Sequence, residues 1–311
     1  MPDTSFLELA EEKIVSGRQD QIRSGFDLII NELAQIRQQL PAREWKRFAE
    51  EDCRNHSIIQ VLQQDPLIWR SLHQPRGYAG DGELIDFMFA VEDGFTPPAL
   101  QQATPLGQKI HLNSLQEEGP RAVRSRRRVI VEKINQLAQH KPDLQILALA
   151  CGHLREAKYI TALQTKSLGR FIAVDHDKNN LAVVDKEFGP SGVETVVASL
   201  RDIIRGHLIH TNFDFIYSAG LFDYLSLPTA QRVTEILFNK LNPGGHLLVA
   251  NYVPNIRSVG FLEAFMNWWL VYRSRPELLA VSDTLPSRQI RNYNVSMDEC
   301  QYIAILDIER K

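Results

Sequence analysis

Cysteine is scarce in this 311-residue chain: Cys53, Cys151 and Cys300 lie far apart and form no CxxC pair. That spacing encodes neither a zinc site nor a disulfide framework, and a reducing cytoplasm is the expected setting. No charge of one sign dominates. Lys and Arg number 35 against 38 Asp and Glu, which gives no global electrostatic reason to expect nucleic acid or an anionic membrane as partner. Long apolar runs are missing as well, since nothing approaches the roughly 18 residues of a membrane span. The most apolar late stretch, Phe261 to Tyr272, is interrupted by Glu263 and Asn267. Residues 1–20 lack the basic start and apolar core of a signal peptide. Repeats and low-complexity tracts are also lacking. What remains is a chain expected to be soluble and long enough for one large domain with an appendage.

Two grammars follow one another. In residues 5–40, Leu7, Leu9, Ile14, Ile22, Phe26, Ile29, Ile30, Leu33, Ile36 and Leu40 recur mostly at three- and four-residue intervals, the pattern of amphipathic helices. A further helix is expected over about 42–63, and Asp65-Pro66 reads as a cap followed by proline at the first helical position. The loop Pro75-Arg-Gly-Tyr-Ala-Gly-Asp81 sets Tyr78 between two glycines and brackets it with Arg76 and Asp81. It reads either as a connector or as part of an active-site lid.

From residue 121 the pattern changes. A basic helix, about 121–140, carries Arg121, Arg124, Arg126, Arg127 and Arg128; most of these are expected on a solvated face, with one arginine free to reach a carboxylate. Strands are then expected at 146–150, 170–174, 194–198, 213–218 and 245–250, with helices at about 155–166, 178–187 and 228–240. Such alternation predicts a parallel sheet covered by helices. A long helix over about 258–273 and two closing strands, 288–295 and 301–309, complete the expectation.

The first strand runs into Ala150-Cys-Gly-His-Leu154. Strand, small-residue turn and helix together make a place for a nucleotide-like cofactor. Asp175 follows Gly152 by 23 residues, at the end of the second strand beside His176 and Asp177. A carboxylate there can accept hydrogen bonds from ribose hydroxyls, while Asp177 suits the cap of the next helix. Dinucleotides need a turn with three glycines; here Ala150, Gly152 and Leu154 stand at those positions. One glycine argues for a cofactor without phosphates, such as S-adenosylmethionine.

Leu241-Asn-Pro-Gly-Gly-His-Leu-Leu-Val249 and Phe213-Asp-Phe-Ile-Tyr-Ser-Ala-Gly-Leu-Phe-Asp-Tyr224, with the closing strand pair, resemble class I S-adenosylmethionine-dependent methyltransferases. The departures are Ala148 for the usual acidic residue, Ala150 for the first glycine and Leu154 for the third. A narrower resemblance covers PRGYAGD (75–81), AVRSRRR (122–128), ACGHLREA (150–157), YSAGLFDYLS (217–226) and FMNWWLVYR (265–273). These look like the bacterial proteins assigned to biosynthesis of methyl 3-hydroxypalmitate, an extracellular factor. The fold class implied is α/β, a Rossmann-like sheet of parallel strands with an antiparallel closing pair. Residues 1–118 are expected to form a helical cap or substrate lid, and 119–311 the cofactor-binding domain.

Carried onto this chain, the resemblance implies that Ala150, Cys151 and Gly152 lie along the methionine part of S-adenosyl-L-methionine, and that Asp175, beside His176, binds ribose. Ser199, Leu200 and Arg201 would border adenine, and Ser218, Ala219 and Gly220 would line the floor beside the sulfonium. Arg124 is the candidate partner of the cofactor carboxylate. Tyr78, Asp223 and Tyr224 are the candidates for orienting the acceptor or receiving its proton, and Arg76, Tyr78, Tyr224, Tyr252, Trp268 and Trp269 for contacting it. Cys151 reads as a packing residue rather than a nucleophile. His207 and His210 have near-metal spacing but no third ligand, so no metal is expected. The implied reaction is methyl transfer to a small molecule, either a carboxylate such as a hydroxy fatty acid or an N, O or C atom of an aromatic or heterocyclic metabolite. Two other readings compete: a non-catalytic module of the same fold, and an NAD-dependent oxidoreductase, which the missing glycines disfavour.

Overall fold

The computed structural model describes residues 2–311. The chain divides into two compact units, Met1–Val123 with Asn255–Trp269, and Arg124–Pro254 with Leu270–Lys311.

The first unit is helical. Helices Ser5–Val15 and Gln19–Gln39 bury Leu7, Ala10 and Ile14 on one and Ile22, Phe26, Ile29, Ile30 and Leu33 on the other. They approach closely at Gly25, where an added Cβ would lie 2.7 Å from Ile14 Cγ1. Each fully buried Ile, Leu or Phe contributes about 1.5–3 kcal/mol, so this stripe dominates the local stability. The helix expected over 42–63 is broken into Ala42–Arg47, a π-helical turn Phe48–Cys53, and Ile58–Leu62. In the loop after helix Pro66–His73, the Asp81 carboxylate caps helix Gly82–Asp93 by accepting from the Leu84 amide and also accepts from Arg70 Nε at 2.8 Å.

Residues 255–269 rejoin this unit from late in the chain. Phe261 packs on Phe26 with ring centroids 5.4 Å apart. Glu263, 3% exposed, accepts from Arg37 Nε and Trp45 Nε1, both at 2.7 Å. Arg54 donates to the carbonyls of Glu263 and Ala264. The helix expected to reach residue 273 stops at Phe265. Asn267 adopts a left-handed φ of 49°, and the Trp268 amide bonds back to the Leu262 carbonyl at 2.9 Å, a left-handed stop of the kind Asn tolerates.

The second unit is built on a seven-stranded sheet: β1 (Gln145–Leu149), β2 (Arg170–Asp175), β3 (Val193–Val197), β4 (Phe213–Ser218), β5 (Leu241–Tyr252), β6 (Ile290–Met297) and β7 (Ile303–Arg310), ordered β3-β2-β1-β4-β5-β7-β6. The first five run parallel and β7 pairs antiparallel with both β5 and β6. All six residues of β4 are buried, Asp214 and Ser218 among them, so the strand lacks the in–out alternation of a half-exposed one. The Pro243-Gly244-Gly245 segment lies inside β5, where the pairing with β4 slips between Phe213 and Phe215. Gly244 has φ 75°, and a Cβ on Gly245 would lie 2.9 Å from the Phe213 carbonyl oxygen, so both glycines are needed. Strand order reverses between β1 and β4, and the crevice at their carboxyl ends is where ligands of such sheets bind.

Candidate active site

The turn after β1 differs from the expected strand–turn–helix. Ala150, Gly152 and Leu154 all take left-handed φ, 53°, 56° and 52°. The three positions where a dinucleotide turn places glycine therefore keep a glycine-like backbone, although two of them carry side chains. Leu154 N–H closes the turn on the Cys151 carbonyl at 2.9 Å. Instead of an α-helix over 155–166, a 3-10 turn Arg155–Tyr159 follows, the chain extends at Ile160, and one helical turn Thr161–Gln164 comes after. The turn is followed by a 3-10 helix and not by an α-helix N-terminus.

Asp175, at the end of β2, fastens this turn. Its Oδ2 accepts from the Gly152 amide at 2.9 Å, and its Oδ1 accepts from the Asp177 amide at 2.9 Å and Asn180 Nδ2 at 3.3 Å. His176 places Nδ1 3.4 Å from the same oxygen, with its ring half exposed. Asp177 caps helix Lys178–Phe188 by accepting from the Asn179 amide. After β3, Ser199 caps helix Leu200–Ile204 in a reciprocal box with Asp202, whose carboxyl is lowered to about 2, chiefly by the Ser199 hydroxyl. Leu200 is partly buried and Arg201 exposed.

The far wall follows β4. Ser218, fully buried, donates to the Leu149 carbonyl at 3.1 Å and ties β4 to β1. Gly220 faces Arg126, whose Nη2 would sit 3.1 Å from a Cβ there. Here the expected solvated face of the basic helix is corrected: Arg126 and Arg127 are buried, at 8% and 5% exposure. The reason is local charge and aromatic surface. Arg126 Nη1 lies 3.2 Å from Asp223 Oδ2 with the guanidinium 5.7 Å over the Tyr252 ring, and Arg127 stacks 4.9 Å over Tyr159. The other oxygen of Asp223 accepts from the Tyr252 amide at 2.8 Å. Burial pushes the Asp223 carboxyl up to about 6 against the opposing pull of Arg126. Arg273, also buried, donates to the Phe222 carbonyl and Asn251 Oδ1 and to the Leu225 carbonyl, which pins the 221–225 loop.

Behind the glycine turn Glu156 is 8% exposed and accepts from Tyr217 OH at 2.7 Å. Burial raises its carboxyl above the usual range. Cys151 is pushed well up by burial and by the negative charges of Asp175 and Glu156, so its thiol stays protonated and is no nucleophile.

The second unit thus gathers Ala150, Cys151, Gly152, Asp175, Ser199, Ser218, Ala219 and Gly220 at the carboxyl ends of β1 to β4. Arg124 is partly buried on its helix, Tyr224 is exposed after β4, and Tyr252 is buried at the end of β5. Arg76, Tyr78, Trp268 and Trp269 belong to the first unit. There Arg76 pairs with Glu83, Trp268 is 3% exposed, and Trp269 Nε1 donates to Asn267 Oδ1. Sequence reasoning missed Glu156, Arg126 and Arg273 as buried charges. Asp202 was within reach, because Ser199 followed three residues later by an acid is a capping pattern.

The strand order, the antiparallel closing pair and the crevice between β1 and β4 define the Rossmann-like sheet of class I methyltransferases. The sequence profile of the family described as tellurite resistance protein TehB matches residues 128–260, less than half of the chain. Among solved structures, a possible exported protein from Bordetella parapertussis superposes with a TM-score of 0.57, at 13% identity, over 74% of this chain and 79% of its own. The CurJ carbon methyltransferase does so with a TM-score of 0.50, at 14% identity, over 73% of this chain and 66% of its own. TehB from Haemophilus influenzae gives 0.41 at 17% identity, over 58% and 62%. No curated protein matches the sequence. Among the described residues no helix is long and apolar enough to cross a membrane.

Proposed function

We propose that the protein is an S-adenosylmethionine-dependent methyltransferase acting on a small-molecule acceptor, a carboxylate such as that of a hydroxy fatty acid. One observation carries the choice of cofactor. The turn after β1 closes on itself and leads into a short 3-10 helix, so it lacks the α-helix N-terminus whose aligned dipole would stabilise a pyrophosphate. Two carboxyls, Asp175 and Glu156, flank it; a negative surrounding repels phosphates and suits a sulfonium. An ionised carboxylate has about four acceptor directions. Three N–H donors engage Asp175, and the longest bond, from Asn180 at 3.3 Å, is the one a ribose hydroxyl would replace. Arg124 would hold the cofactor carboxylate, and Ser199 to Arg201 would border adenine.

When bound, S-adenosylmethionine supplies a methyl carbon activated by the positive sulfur. The chain's task would then be to align the acceptor with that carbon and to desolvate it. Ser218, Ala219 and Gly220 form the floor, held against β1 by the Ser218 hydroxyl and flanked by Arg126. Tyr224, the exposed residue of the loop that Arg273 pins, orients the acceptor oxygens. A carboxylate acceptor needs no base. The alternative, methylation at an aromatic or heterocyclic centre, is favoured by one feature: Asp223, held near 6, could take a proton. The resemblance to the methyl 3-hydroxypalmitate proteins supports the fatty-acid reading, and the unpaired cysteines suit a cytoplasmic location.

Calorimetry with S-adenosylmethionine, S-adenosylhomocysteine and NAD tests the cofactor: both sulfur compounds should bind and NAD should not. Binding of NAD alone would point to an oxidoreductase, and binding of none to a non-catalytic module. Labelled S-adenosylmethionine incubated with 3-hydroxypalmitate should yield labelled ester; label found only in a heterocyclic metabolite would move the acceptor to the alternative.

A further inference from the structure

Three buried carboxyls stand near the carboxyl ends of β1, β2 and β4, and two have evident work. Asp175 holds the turn through backbone amides and Asp223 holds Arg126 and the Tyr252 amide. Glu156 is different. It accepts from the neutral phenol of Tyr217 and from its own backbone amide, and lies close enough to Cys151 to raise that thiol. On neutral donors a buried carboxyl is pushed toward its neutral form, as burial does here, and a facing cation is what keeps it ionised. Its surroundings are asymmetric: Arg127 and Arg126 provide positive charge on the helix side, and Cys151 and Gly152 form the partly exposed turn. Ala148 is in register with Tyr217 and has only a methyl group on that face of the sheet, which leaves room for the phenol and the glutamate that meets it.

We propose that Glu156 receives the ammonium of the cofactor's amino-acid end, an inference that rests on S-adenosylmethionine being the cofactor. The left-handed Leu154 turns the chain so that an acid beyond the turn comes to the carboxyl-terminal half of β1 and β4, where Ala148 supplies no charge. With Arg124 assigned to the carboxylate, each pole of a zwitterionic amino acid meets an opposite charge.

The test compares three probes by calorimetry: S-adenosylhomocysteine, its deaminated analogue, and 5′-methylthioadenosine, which lacks the whole amino-acid end. The wild type should prefer S-adenosylhomocysteine over the deaminated analogue on the order of 10- to 100-fold, the range of a charge-assisted hydrogen bond. Glu156→Gln can still accept from Tyr217 and should abolish that preference while binding 5′-methylthioadenosine as before; Glu156→Asp should restore part of it. A preference unchanged in Glu156→Gln overturns the inference and leaves the cofactor reading intact. Failure of the wild type to bind any of the three overturns both. Should the glutamine variant not fold, shown by loss of 5′-methylthioadenosine binding, Glu156→Asp decides: a reduced preference supports the assignment, and an unchanged one overturns it.

Discussion

At the scale of single residues, the turn after β1 holds two side chains in a backbone shape that favours glycine. Ala150 and Leu154 have φ near 53° and 52°, a conformation costing an L-residue about 1–2 kcal/mol. The two should respond oppositely to glycine. Ala150→Gly relieves strain at a partly exposed site and should raise unfolding stability by about 0.5 kcal/mol, the balance of strain relief against unfolded-chain entropy. Leu154 is fully buried, so Leu154→Gly loses packing worth about 2–5 kcal/mol and should destabilise despite the same relief; urea unfolding checks both. Asp175→Ala removes the acceptor of the Gly152 amide and should weaken S-adenosylhomocysteine binding at least about tenfold, the equivalent of one charged hydrogen bond. Unchanged affinity in calorimetry would remove the ribose assignment. Asp223 supplies a pH signature. Its carboxyl rises from 3.8 to about 6 on folding, so its contribution is fully present below about 3.8 and is lost as pH climbs through 6. Relative to the wild type, Asp223→Asn should therefore gain on the order of 2 kcal/mol between pH 4 and pH 7. A difference that stays constant with pH would contradict the buried assignment.

Among the elements, the late segment Asn255–Trp269 shows how a short helix is held by charges rather than by length. Its seven-residue helix, Val259–Phe265, is too short to be stable alone. It is held through Glu263, which Arg37 and Trp45 both reach, and through the Arg54 bonds to its last carbonyls. Glu263→Ala strands Arg37 and the indole N–H and should cost about 3 kcal/mol. Thermal unfolding measures that loss, and a loss below about 0.5 kcal/mol would mean the pair contributes nothing. The glycines in β5 work in the same local way, because Gly244 and Gly245 create the slip that lets β5 pair with β4 on both sides of the bulge.

For the whole molecule, the consequence is that the two units interleave in sequence. The first is incomplete without residues 255–269, which supply Phe261 to the Phe26 contact. A fragment of residues 1–123 should therefore remain only partly folded, and joining residues 255–269 to it through a flexible linker should restore a cooperative thermal transition. Equal cooperativity with and without the late segment would refute this. A plain division of the chain into an N-terminal and a C-terminal half does not describe such an arrangement, because the second unit opens at Arg124, resumes at Leu270, and surrounds in sequence a segment that packs elsewhere.

By itself the sequence determined what depends on neighbours along the chain. The alternation of apolar runs with amphipathic segments specified a parallel sheet, Asp177 announced a helix start, Pro243-Gly-Gly marked the special backbone in β5, and Gly152 with Asp175 marked two strand ends that the fold brings together. These signals are local, and backbone chemistry is local. Only the tertiary structure decided the fate of the charges: Arg126 meets Asp223 from 97 residues away, and Glu156 meets Tyr217 from 61. An arginine in a basic run resembles any solvated one until the fold brings a buried carboxylate to it. The same holds for the turn after β1, whose missing glycines left its shape open. The closure of Leu154 on Cys151 and the bond from Gly152 to Asp175 impose the left-handed path, because contacts across the sheet outweigh the strain of two side chains.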